Sequence, residues 1–68
     1  MDISLFFGKK VRLYRLERKL SQEELALLCG LHRTYIGSVE RGERNITLVN
    51  AHKVSIALDI PLSEFFME

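Results

Sequence analysis

Residues 20–42 read LSQEELALLCGLHRTYIGSVERG, and the fold is decided in this stretch. Ser21 stands just before an apolar-periodic run, with Glu24 three residues on. This is the capping-box pattern, in which serine and glutamate satisfy free backbone N–H groups at a helix start. A helix therefore begins at Gln22, carries Leu25, Ala26 and Leu28 inward, and ends at Gly30, which can take the left-handed conformation that turns the chain sharply. A further helix spans Arg33 to Arg41 and stops at Gly42. Ile36, Val39 and Glu40 lie on its one side, and Arg33, Thr34, Gly37 and Ser38 on a polar outer face. Two short helices joined through a glycine turn have the dimensions to place one of them in the DNA major groove, about 12 Å wide.

Upstream, Phe7, Val11 and Tyr14 fall at i, i+4 and i+7 with Leu13, Leu16 and Leu20 flanking, which predicts a first helix from Ile3 to Lys19. Tyr14 sits in that apolar stripe and reads as core. Downstream, Asn45-Ile46-Thr47 offers a cap, and Leu48, Ala51, Val54 and Leu58 follow at helical spacing. Pro61 can open a last short helix through Phe66. The expectation is an all-α, compact five-helix chain forming one domain over residues 1–68, without repeats, linkers or low-complexity segments.

Composition narrows the function. At 68 residues the chain buries only about 60% of the surface it exposes when unfolded, so its stability is modest or shared with a partner. It is 47% apolar with one proline, too hydrophobic for disorder. No apolar run approaches the roughly 18 residues that span a bilayer, and Ile3 to Phe7 is too short for a signal-peptide core, so a cytoplasmic protein without a membrane partner is expected. Cys29 is the single cysteine and reads as a buried free thiol. It has no metal spacing with His32 or His52, so no metal or other cofactor is expected. Nothing supports an enzyme: there are no paired carboxylates, no nucleophile with a base, and no Gly-rich phosphate loop. The net charge is only +1. It is unevenly placed, however, with Lys9, Lys10, Arg12, Arg15, Arg18 and Lys19 opposed locally by Glu17 alone, while Asp59, Glu64 and Glu68 close the chain. That basic run is either a solvated helix face or a patch that steers toward DNA.

The whole chain resembles the Cro/repressor type of helix-turn-helix protein, also called the xenobiotic-response-element family. The matching residues are Leu20 to Ala26, Gly30-Leu31, and Tyr35 to Gly42. Within that family the runs Arg33 to Ile36 and Glu40 to Ile46 look most like the controller proteins of restriction-modification systems. The resemblance implies a helix-turn-helix at about residues 21–41 with Arg33 to Arg41 as recognition helix, and no small-molecule ligand. It implies base contacts from Arg33, Thr34, Ser38 and Gly37, with Arg33 best suited to fork onto guanine O6 and N7. Gln22, Tyr35, Arg44, Asn45 and Arg12 are implied as phosphate contacts that set affinity and register; for Tyr35, packing alone is the competing reading. Arg15 and Glu40 match positions that form a partly buried ion pair. His32 reads as a turn residue.

Once the core has taken one face of the fourth helix, Val49, His52 and Ile56 remain on another, with Leu62, Phe66 and Met67 nearby. That surplus predicts a homodimer interface over about residues 49–67; the competing reading is that the last short helix folds back and covers this stripe within one subunit. The expected partners are therefore an operator in double-stranded DNA and a second copy of the chain. RNA polymerase would be a further partner through Glu23 or Glu24 if the bound protein activates. The alternative is an antitoxin or protein-interaction adapter, for which Arg33, Thr34 and Ser38 would be dispensable.

Overall fold

The computed structural model describes residues 2–67. Asp2 opens helix α1 (Ile3–Glu17) by accepting the Leu5 N–H at 3.2 Å. Helices α2 (Gln22–Cys29), α3 (Arg33–Glu40) and α4 (Leu48–Leu58) follow. A 3-10 turn over Leu62–Phe66 stands where a fifth helix was expected, so the described residues form four α-helices and one tight turn. No strand occurs among the described residues. Glu68, counted above in the acidic C-terminal charge, lies outside the described residues.

Each α-helix ends in the same way. The residues just past the ends, Lys19, Gly30, Gly42 and Asp59, all have positive φ. In each case the next residue's N–H reaches back to a carbonyl five positions earlier, as Leu20 does to Arg15 and Leu31 to Ala26. This is the Schellman closure, which satisfies carbonyls that the helix leaves free. It stops α1 at Glu17, two residues before the expected end, because Lys19 turns the chain there.

The core is drawn from all of these elements: Phe7 and Val11 of α1, Leu25 and Ala26 of α2, Ile36 and Val39 of α3, Ala51, Val54 and Leu58 of α4, and Phe65. Helix α3 packs on both α1 and α2, while α4 closes against α2. At the α1–α3 crossing Gly8 is required, since a Cβ there would run into the Val39 carbonyl oxygen. Phe65 lies against the Phe7 ring at 5.3 Å and meets Tyr14 edge-on at 5.1 Å. Tyr14 is half-buried, and its hydroxyl donates to the Glu64 carbonyl.

Two expected core leucines are not core. Leu28 is 61% exposed and Leu48 79% exposed. Helix α2 has only two turns, and Leu25, Ala26 and Cys29 already fill its inward side. Leu48 is the first residue of α4, and the helix begins burying side chains only at Ala51. Gly37 and Ser38 depart in the other direction: both are buried rather than on an outer face.

Candidate nucleic-acid interface

The geometry of the α2–α3 pair follows from its local sequence. Ser21 Oγ accepts the Glu24 N–H at 3.0 Å while Glu24 accepts the Ser21 N–H at 2.8 Å, so the start of α2 is held from both sides. The Ser21 backbone N–H foremost, and the Ser21 side chain after it, hold the Glu24 carboxyl below its ordinary pKa. Gly30 turns the chain at φ 69° and ψ 29°. His32 then caps α3, its Nδ1 accepting the Thr34 N–H at 3.4 Å, which is the turn role expected of it.

Glu40 locks the arrangement from beneath. Arg15 Nε donates to Glu40 Oε2 at 2.6 Å and Nη2 to Oε1 at 3.0 Å, a two-pronged pair whose side chains are only 8% and 3% exposed. The third arm of the guanidinium, Nη1, donates to the Leu20 carbonyl at 2.9 Å. Gln22 Nε2 also donates to Glu40 Oε1, at 3.0 Å, so one carboxylate joins α1, α2 and α3. The hydrogen bond to Glu40 raises the Arg15 pKa against the opposing effect of burial. No buried side-chain N or O is left without a partner among the described residues.

What remains outward on α3 is its N-terminal end. Arg33 and Thr34 are exposed, and Arg33 Nη1 pairs with Glu23 Oε2 at 2.9 Å. Ser38, expected beside them, is turned in, with its hydroxyl donating to the Tyr35 carbonyl at 2.8 Å. Gly37 faces its own protein as well: a Cβ there would lie 3.3 Å from both Gln22 Oε1 and Arg41 Nη1. Glycine at 37 therefore admits neighbouring side chains of this chain.

The residues expected at phosphates are differently placed. Gln22 is half-buried with one amide N–H committed to Glu40. A primary amide has two donors, so the other is free. Tyr35 is half-buried; Asn50 Nδ2 donates to its hydroxyl at 3.2 Å, and the Arg44 guanidinium lies over its ring at 5.4 Å. Asn45 Oδ1 accepts the Ser4 hydroxyl at 3.1 Å, which ties the loop after α3 to the start of α1. Arg12 is exposed on α1. Two residues escaped the sequence reading. Arg41, at the end of α3, is exposed and pairs with Glu43 at 2.9 Å. Asn50 was also missed; the only sequence sign of it was its place three residues after the Thr47 cap.

Away from α3, Val49, His52 and Ile56 form an exposed stripe on α4. His52, Ile56 and Leu62 line a groove of about 360 Å³. Leu62 is half-buried against its own core, and Phe66 stacks on Phe7 at 5.6 Å while remaining 44% exposed. Met67 is exposed. Cys29 is a buried free thiol whose pKa burial pushes up, with Lys53 opposing. No group of His, Cys, Asp and Glu able to hold a metal occurs among the described residues. No helix of the described residues is long and apolar enough to cross a membrane.

Comparison with known proteins places this geometry in context. A helix-turn-helix family model matches residues 11–65. The chain is 53% identical over 60 residues to the control protein C.BamHI of Bacillus amyloliquefaciens, covering 87% of this chain and 74% of that protein. It is 47% identical over 68 residues to the control protein C.MunI of a Mycoplasma species, covering 98% and 92%. The crystal structure of the restriction-modification controller protein C.AhdI of Aeromonas hydrophila superposes with a TM-score of 0.90 at 51% identity, covering 93% of this chain and 96% of that one.

Proposed function

The chain belongs to the helix-turn-helix family, and from that premise we propose that it is a DNA-binding transcription regulator of the restriction-modification controller kind, not an enzyme. It acts in the cytoplasm as a homodimer on a palindromic operator. There it regulates its own promoter and the endonuclease gene.

The observation that carries this reading is the exposure of Arg33 and Thr34 at the leading end of a helix whose other faces are buried. A helix held so firmly from behind can present those two side chains to base edges without rearranging. Arg33 supplies the planar fork that pairs with guanine, an interaction worth about 1–3 kcal/mol of discrimination. Thr34 offers a hydroxyl and a methyl group beside it. Tyr35 follows in α3 with Arg44 over its ring, Gln22 lies beside Gly37 and Glu40 further along the helix, and Arg12 adds a cation from α1; these are phosphate partners that fix register. Ser38 and Gly37 are buried in the free chain, so the base-reading proposal rests first on Arg33 and Thr34. Asn45 contributes by anchoring the loop that carries Arg44.

Dimerisation through Val49, His52 and Ile56 rests on their exposure along α4 and on the adjoining groove. Ile56→Asp is the clean substitution there, since Ile56 is 65% exposed, whereas Phe66 also stacks on the core. It should weaken self-association in analytical ultracentrifugation and operator binding together, with the monomer fold intact. The DNA reading itself is tested by selecting bound duplexes from a random pool at near-physiological salt, because salt governs the non-specific background. A two-fold-related motif with half-sites about 10 bp apart is expected. No enrichment by the folded protein would move the assignment to the adapter reading.

A further inference from the structure

Asn50 lies on α4, outside the helix-turn-helix pair, yet its side chain reaches across to α3. Its backbone N–H is held by Thr47 Oγ1 at 3.1 Å, which fixes the first turn of α4 from which the side chain extends. That amide donates to the Tyr35 hydroxyl at 3.2 Å in a half-buried setting, and the face of the same ring carries the Arg44 guanidinium. A phenol oxygen that accepts one hydrogen bond still has its own O–H to donate. With Asn50 filling the acceptor side, the Tyr35 O–H remains to donate to a further acceptor, and the donation from Asn50 polarises it for a stronger bond.

We propose that Asn50 is a positioning residue of the nucleic-acid interface: it orients the Tyr35 hydroxyl as a donor to a phosphate and, by fixing the ring, sets the place of Arg44. The proposal rests on the DNA-binding reading above. It assigns to α4 a role in DNA affinity besides its exposed apolar stripe. Asn50 reads no base, so its loss should weaken binding to all sequences alike.

The test is a cycle of Asn50→Ala, Tyr35→Phe and the double variant, each measured for binding to the selected operator across a salt series and for thermal unfolding. Asn50→Ala should lower affinity about 3- to 10-fold, the range of one ordinary hydrogen bond. The double variant should bind no worse than Tyr35→Phe alone. Displacing Arg44 should also flatten the dependence of log K on log salt, by up to about 0.9 for each phosphate that is no longer neutralised. A purely structural tie between α3 and α4 would instead lower the melting temperature and leave that slope alone. Asn50→Leu, nearly the same shape and a better helix former, serves if the alanine variant does not fold. Losses that add in the double variant, or a slope equal to that of the wild type, overturn the proposal while the operator reading stands. A wild-type protein that enriches no duplex overturns both.

Discussion

Helix α3 carries an ion pair at each end, and the two make a controlled comparison. Glu40 at its C-terminal end meets Arg15 at 2.6 Å with both side chains nearly sealed from water. Arg33 at its N-terminal end meets Glu23 at 2.9 Å with side chains 66% and 63% exposed. The residue types are the same and the distances similar, but the energetics differ. A buried pair cannot lose one member without leaving a charge stranded in the interior. An exposed pair is worth about 0–1 kcal/mol, because water replaces either partner at once. The first pair is therefore a fastener, and the second is a holding position from which Arg33 can leave for a stronger acceptor.

The comparison breaks most visibly at Glu40. Glu40→Ala strands Arg15 and also frees Gln22, so urea unfolding should show a loss of about 3–5 kcal/mol. In a chain this small that is much of the total stability. A loss below about 1 kcal/mol would place this pair in the same class as the exposed one.

Ser21→Ala comes next and sharpens the contrast, because it loosens the first turn of α2, which carries Glu23. Loss of this cap should cost about 0.5–2 kcal/mol in the same unfolding experiment. The capping box also carries a pH signature. The folded Glu24 carboxyl has a lowered pKa, so its contribution is complete above the ordinary carboxylate value, near about 4.3, and is lost as pH falls through the lowered one. Wild-type stability should fall more steeply with acid than that of Glu24→Gln over that window.

The smallest effect belongs to the exposed pair. Glu23→Gln should change stability by no more than about 0.5 kcal/mol in thermal or urea unfolding. A larger change would mean that Glu23 is part of the framework.

Much of this arrangement was legible from single residues. Ser21 and Glu24 gave the start of α2, and Gly30 and Gly42 marked two helix ends because their sequence advertises a positive φ. Lys19 and Asp59 make the same closure without that mark, because the carbonyls satisfied there offset the steric cost of a Cβ in the left-handed region. The Arg15–Glu40 pair followed from the family resemblance, since the charges lie 25 residues apart and only folding brings them together. Periodicity misplaced Leu28 and Leu48 because both sit at helix ends, where an apolar position in the repeat has no facing partner. It misplaced Ser38 and Gly37 because polarity or small size stood in for exposure, although an internal hydrogen bond satisfies a buried serine as well as water does. Asn50 was invisible because its partner, Tyr35, belongs to another helix.

The central claim, that Arg33 is an exchangeable side chain free to read a base while Arg15 is fixed, is tested most directly on the selected operator and on copies with each guanine replaced in turn. Wild type and Arg33→Ala are compared on every duplex. The account predicts that Arg33→Ala folds as the wild type does and loses about 1–3 kcal/mol of discrimination at one base pair of each half-site only. Full discrimination retained at every position by the variant would contradict it.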